Sequence, residues 1–306
     1  MAGDRHGFGM GGVCVQIKKE EVAGRLYLAY RYSAGVLRRQ KPTERAARRK
    51  KTSEGKRKIN QLRRKYYLMQ LMSANFTSGR DLFVCFEWAH EPTEKEDEAA
   101  RRALHRKLRR AYAQAGIEYK YISVSETHSR DGKAARLHHH MILTGLCGRD
   151  RALIQACWPH GGVDVRTLRE LTDNFEDTCE YLLKERKPEG KRAYNTSQNL
   201  ARPPEPLRRK LREGVRLELP PGVKLCDEYT DDHDFGGWQI YVGKIIEPKR
   251  FAAYWEAAKR DRRRIEEKMS WRRAAARRRK SEGRKPLSSS KTCLTSEQPS
   301  RGRGAP

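Results

Sequence analysis

The sequence predicts an α+β fold, an antiparallel sheet with helices on one or both of its faces. Three observations predict it. Short apolar runs of strand length alternate with longer stretches whose apolar residues recur at helical spacing. Two helical stretches open on cap-type pairs, Thr93 with Glu96 and Asp173 with Glu176. The turn pair Asp131-Gly132 joins two strands as a hairpin, so those neighbours run antiparallel.

Val13, Val15 and Ile17 alternate with polar residues and predict a short strand, and Leu26 to Tyr32 a second. Arg38 to Gly55 has almost no large apolar residue and reads as a basic linker. From Lys56, Ile59, Leu62, Tyr66, Met69 and Met72 fall on one helical face opposite a basic one. Asp81 to Trp88 is a buried strand. The helix after Thr93 puts Leu104, Leu108, Ala111 and Tyr112 on one face and ends at Gly116. Glu118 to Ser125 and Arg136 to Thr144 are strands, Arg149 to Trp158 a short helix, and Val163 to Val165 a short strand. A helix runs from Asp173 through about Glu185, with Phe175, Cys179 and Leu182 facing the core.

After Leu200 the run Arg202-Pro203-Pro204-Glu205-Pro206 breaks structure. A mixed region follows, with Gln239 to Val242 as a strand. Ala252 to Arg279 is a basic helix, and Lys280 to Pro306 reads as a disordered tail. The expected organisation is N-terminal strands joining the core (1–37), a basic linker and helix (38–65), a core (66–200), an accessory region (201–250), a basic helix (251–279) and a tail (280–306).

The formal net charge is +28, which points to a polyanionic partner. The charge is clustered. Arg38 to Lys65 holds 14 Lys/Arg against 2 acidic residues, and Lys249 to Pro306 holds 19 against 6. Tyr66 to Pro248 holds 29 against 28. Two basic arms therefore flank a near-neutral module, and such arms neutralise phosphates without reading sequence. The 7 cysteines are irregularly spaced with no C-x-x-C pair, which supports neither a disulfide framework nor a zinc ribbon. No apolar run approaches membrane-spanning length and no signal peptide is visible, so a cytoplasmic location is expected.

The chemistry concentrates in Arg136-Leu137-His138-His139-His140-Met141-Ile142-Leu143. Side chains alternate across a strand, so His138 and His140 share one face, roughly 7 Å apart along it. Two such imidazoles can bind one divalent ion. A hard ion also wants an oxygen. Glu126 ends the preceding strand and can stand beside the pair, with His128 as the competitor for that place. On the last core helix Tyr181 and Lys184 are three residues apart and so are neighbours. A cation beside a phenol of pKa about 10 helps hold a phenolate that attacks phosphorus.

These blocks resemble the single-tyrosine HUH rolling-circle replication proteins of phages and plasmids, the gene II protein-like group. Leu82 to Trp88 looks like motif one, Leu137 to Leu143 like the histidine motif, and Glu180 to Glu185 like motif three with its Tyr-x-x-Lys. Arg192 to Leu200 is similar to the segment that follows. The resemblance spans about Ala74 to Pro204 and departs at two places. His139 stands where a bulky apolar residue is usual, and it replaces one of the pair if the register is shifted. Without a shift, His139→Leu is expected to be tolerated. Cys85 and Glu87 interrupt motif one.

The resemblance implies a five-stranded antiparallel HUH core of ferredoxin-like, RRM-like type with a basic helical extension. It implies Mg2+ or Mn2+ on His138, His140 and Glu126. Tyr181 is the implied nucleophile, forming a 5′-phosphotyrosine with Lys184 assisting, and Arg192, Tyr194 and Asn195 are implied DNA contacts. The implied partners are single-stranded and origin DNA, a host helicase and a DNA polymerase. A relaxase or a single-tyrosine transposase shares this chemistry. A non-enzymatic basic nucleic-acid-binding protein is the reading from another class, and metal-dependent cleavage of an oligonucleotide separates the two.

Overall fold

A computed structural model describes residues 15–34, 54–128, 134–146, 148, 150–169, 174–184, 193–211, 215–231 and 238–281. Val13, most of the 38–55 linker, the Asp131-Gly132 turn, Arg149, Asp173 and the tail from residue 282 on lie outside them. The chain divides into two compact units, Met1–Ala258 and Lys259–Pro306.

The first unit is α+β, as predicted, and contains two five-stranded antiparallel sheets. The first comprises β3 (Leu82–Glu87), β4 (Tyr121–His128), β5 (Ala134–Leu143), β6 (Val163–Thr167) and β7 (Asn195–Thr196), in the order β6-β3-β5-β4-β7. The second comprises β1 (Val15–Ala23), β2 (Leu26–Ala34), β8 (Leu207–Leu211), β9 (Val223–Asp231) and β10 (Trp238–Ile245), in the order β8-β1-β2-β10-β9. The helices are α1 (Glu54–Asn75), α2 (Glu94–Gln114), α3 (Asp150–Cys157), α4 (Glu176–Leu183) and α5 (Pro248–Ser281), the last of which crosses into the second unit.

The alternating strand β5 sits in the middle of its sheet, and both its faces are covered. On one side Val84, Phe86, Met141 and Leu143 pack with Leu104, Leu108 and Tyr112 of α2 and Ile154 of α3. On the other, Ile122, Val124 and Ile142 pack with Leu68, Met69 and Met72 of α1 and Cys179 and Leu182 of α4. The expected capping box forms: the Glu96 amide donates to Thr93 Oγ1 at 3.3 Å, and the Thr93 amide donates to Glu96 at 2.7 Å. At α4 the described residues show one cap contact. The Glu176 amide donates to the Asn174 side chain at 2.9 Å, while Asp173 lies outside the described residues.

The N-terminal strands do not extend the histidine sheet. β1 pairs with β8 and β2 with β10. They reach the core through α1, whose Tyr66 and Met69 share a cluster with Leu26 and Leu28 of β2 and with Ile240 and Val242 of β10. Gly24 in the β1–β2 turn has φ 56°, and a Cβ there would collide with the Ser73 carbonyl, so the hairpin seats directly on α1. The opposite face of this sheet packs Tyr27, Ala29 and Ile245 against Phe251 at the start of α5. In the second unit α5 continues as a largely exposed basic helix, with Trp271 73% exposed. Among the described residues no helix is long and apolar enough to cross a membrane.

The second sheet encloses a charge. Glu20 is fully buried and accepts hydrogen bonds from Tyr27 at 2.7 Å and Tyr254 at 2.6 Å, with Lys18 at 3.1 Å and Arg209 completing the set. Burial works to raise the Glu20 pKa, but Lys18, Tyr254 and Arg209 outweigh it and hold the carboxyl below its ordinary value. A depressed folded pKa gives stability that is present above the unfolded value of about 4.3 and lost as pH falls through the folded one. Glu20→Gln strands Lys18 and Arg209, and is expected to lower stability at pH 7 by about 3 kcal/mol. Thermal melts of both proteins should differ most at neutral pH and converge only as pH falls through the depressed Glu20 value. Identical melts at pH 7 would show that the network adds nothing.

Candidate metal and tyrosine site

The ladder of β5 builds the site. Its alternation turns His138 and His140 toward α4 and turns His139 toward α2. Glu126 of β4 is the direct cross-strand partner of His138, so its side chain emerges on the same face. Glu126, His138 and His140 therefore meet, with one ligand atom from each lying within 4.8 Å of the others. Glu126 Oε2 is 3.5 Å from His138 Nε2 and 3.4 Å from His140 Nε2. The His128 side chain lies outside the described residues.

This donor set fits a divalent ion. Glu126 is fully buried, and its Oε1 has no hydrogen-bond partner among the described residues; neither has His140 Nδ1. A buried carboxylate with an idle oxygen is costly without a cation. Two imidazoles and a carboxylate suit Mn2+ well and Mg2+ with added water ligands. The Arg136 carbonyl lies 2.9 Å from His138 Nδ1 and turns Nε2 toward Glu126, the usual outer support of a metal-binding imidazole. The bond to Glu126 raises the His138 pKa against the opposing effect of burial. Burial pushes the Glu126 pKa up, but His138, His140 and Lys184 together hold it well below the carboxylate range.

Helix α4 brings the second half. Tyr181 Oη is 3.1 Å from His140 Nε2. Lys184 Nζ is 2.8 Å from Glu126 Oε2 and 3.9 Å from the centroid of the Tyr181 ring. Burial opposes the Lys184 charge, but the Glu126 carboxylate raises its pKa on balance. Phe83 of β3 backs both His140 and Tyr181, at 5.4 and 6.0 Å between ring centroids. Cys179 and Leu182 anchor α4 in the core, and Lys65 of α1 clamps it from outside through Glu176 and Glu180.

Tyr181, His138 and His140 open onto a hollow of about 750 Å3. Arg136 and Arg166 line it, as do Cys85, Glu87 and Asp164. Cys85 and Glu87 pair with His140 and His138 across the β3–β5 ladder and so share their face. The sequence marked Cys85 and Glu87 only as interruptions of motif one; the β3–β5 register places them on the histidine face. Burial pushes the Cys85 thiol up to about 12, so it is a neutral wall group.

His139 does not replace either member of the pair. It is 3% exposed, with Nε2 2.7 Å from Asp97 of α2 and Nδ1 2.8 Å from Ser125 Oγ. Leucine there is therefore not innocuous, because it removes a partner from the buried Asp97 carboxylate. Of the three expected DNA contacts, Arg192 lies outside the described residues. Tyr194 packs partly buried against the α1 cluster and Asn195 is exposed in β7. Neither lines the hollow at Tyr181.

Residues 81–186 match the family model of the replication-associated protein ORF2/gene II protein group. No curated protein and no solved structure matches the chain. The family match runs from β3 to just past α4, so it takes in Glu126, the histidine strand, Tyr181 and Lys184 and leaves out the second sheet and both basic arms.

The two faces of β5 predict two kinds of variant. His138→Ala and Glu126→Gln should abolish manganese binding in calorimetric titration. His139→Leu should lose about 2 kcal/mol of stability in a melt and keep its manganese affinity. Loss of the metal in a folded His139→Leu protein would mean the faces are wrongly assigned.

Proposed function

We propose that the protein initiates rolling-circle replication by nicking and rejoining single-stranded origin DNA, with Mg2+ or Mn2+ held by Glu126, His138 and His140. The observation that carries this reading is the Tyr181 phenol oxygen, 3.1 Å from His140 Nε2 in the hollow that His138 and His140 also line. The match of residues 81–186 to a replication-associated family supports it. The bound ion supplies Lewis acidity toward the scissile phosphate.

The chain's own groups do the rest. Tyr181 Oη attacks phosphorus, giving a 5′-phosphotyrosine and expelling the 3′-oxygen of the preceding nucleotide. The phenolic proton passes to solvent. Lys184 is close enough to the Tyr181 ring to stabilise the phenolate, and its ammonium can donate a proton to the departing oxygen. Attack by a free 3′-hydroxyl reverses the link and rejoins the strand, with no nucleotide triphosphate consumed. Phe83 and the packed α4 hold the phenol in place, and preorganisation of this kind converts binding into rate. The sequence holds no G-x-x-x-x-G-K-[ST], so this reading leaves strand opening to a host helicase and extension to a host polymerase.

The test is an origin-strand oligonucleotide labelled 3′ of the nick, incubated with manganese and resolved on a denaturing gel. The wild-type chain should form a covalent adduct, and Tyr181→Phe should form none while keeping its fold. Lys184→Ala should still form it, about a hundredfold more slowly. An adduct in the phenylalanine variant would overturn the assignment.

A further inference from the structure

A concavity larger than the hollow at Tyr181 lies elsewhere in the first unit. This cleft of about 990 Å3 runs between α1 and the second sheet, outside the segment that matches the replication family. We propose that it is a second DNA site, holding unpaired bases of a single strand against Tyr67 and Trp238 with its phosphates on Arg63 and Arg208. The proposal rests on the reading of the chain as a single-strand nuclease and adds where the strand is held.

The chemistry of the walls carries it. Five basic side chains and one carboxylate line the cleft, and that carboxylate, Glu21, is already engaged by Lys19 at 2.5 Å and by Gln70 at 2.7 Å. The free charge facing the cleft is therefore positive, which suits a polyanion. Arg63 and Arg208 are exposed. Arg31 is partly buried; its Nη1 donates to the Val215 carbonyl at 3.2 Å, and its Nε has no hydrogen-bond partner among the described residues. Aromatic rings interleave with these cations. Tyr67 is 39% exposed, and Trp238 is partly buried with its ring 4.9 Å from that of Tyr229. Cations on a groove studded with aromatic rings are how unpaired strands are held, because every base has a face to stack. A duplex hides those faces and gains only the charge.

The position agrees with the chemistry. Arg64, Tyr67 and Tyr194 also line a neighbouring hollow of about 360 Å3, so the two cavities share a rim and form one track along α1. Between Arg63, Arg64 and Tyr67 stands Lys65, whose ammonium clamps the helix that carries Tyr181. A strand gripped on α1 is thus gripped on an element fixed to the nucleophile.

The experiment is fluorescence anisotropy of a labelled oligonucleotide of about 12 nucleotides, titrated with the full chain in EDTA so that no cleavage chemistry enters. Tyr67→Ala and Trp238→Ala should each weaken single-strand binding about tenfold and leave duplex binding unchanged. Tyr67→Phe, which keeps the ring, should bind as wild type. Arg63→Ala with Arg208→Ala should flatten the salt dependence by about 0.7 in slope for each phosphate no longer neutralised. Because Trp238 also touches the core, the exposed Tyr67 is the deciding position. Unchanged single-strand affinity in Tyr67→Ala overturns the proposal, and so does an equal loss on duplex. Tighter binding of the same sequence as RNA overturns DNA as the occupant. Adduct formation by Tyr181→Phe would sink the nicking reading and leave this binding result standing.

Discussion

A fully buried glutamate organises the centre of this protein. Glu126 cannot remain ionised out of water unless positive or hydrogen-bonding groups surround it. The cross-strand register supplies His138 and His140, and the end of α4 supplies Lys184. Those three contacts come from two different elements, so the carboxylate ties helix to sheet and fixes the distance between the histidines and Tyr181. The Lys184 ammonium already neutralises the carboxylate from one side, at Oε2, while Oε1 is left for a further donor or cation.

Helix α1 turns that local arrangement into an architecture. One of its faces closes the histidine sheet beside α4, and its buried residues also receive Leu28, Ile240 and Val242 from the second sheet. Lys65 adds a polar clamp on α4. A single helix between two sheets explains why the N-terminal hairpin and the strands beyond residue 207 belong to the same unit as the site. Its outer edge carries the exposed Arg63, Arg64 and Tyr67.

Local chemistry was legible in the sequence wherever it depended on periodicity. The alternation of His138 and His140, the Thr93–Glu96 capping box and the three-residue spacing of Tyr181 and Lys184 were all readable, because each is a property of one element. What depended on pairing was not. β8, Leu-Arg-Arg-Lys-Leu, and β9, with Lys224, Asp227, Glu228 and Thr230, look like polar connections because they are edge strands, where charge protects an open ladder. The pairing of β1 with β8 joins residues almost two hundred positions apart. Register of that kind is settled by packing between elements and leaves little trace in either strand alone. The same limit hid Cys85 and Glu87, whose place on the histidine face depends on the β3–β5 register.

The run of three histidines shows how burial on both faces of a strand divides labour between adjacent residues. β5 is central in its sheet and covered on each side, so His139 to Leu143 are buried whichever face they take, and His138 is only partly exposed, at the hollow beside Tyr181. A polar residue on such a strand must find partners where it points. His138 and His140 point at the Glu126 carboxylate and the Tyr181 phenol, and Glu126 Oε1 has no hydrogen-bond partner among the described residues. His139 points at Asp97 and Ser125, which use both its nitrogens and leave none for a metal. An apolar residue would fill that middle position without any of this, as long as the partner helix also lacked its acid. Here α2 carries Asp97, held as well by Arg101 at 2.8 Å and Trp88 at 3.3 Å, so the acid and the middle histidine are required together. The departure of His139 from the apolar residue usual in similar proteins is therefore a matter of how β5 is bolted to α2, and the candidate metal pair on the other face is left unaltered by it.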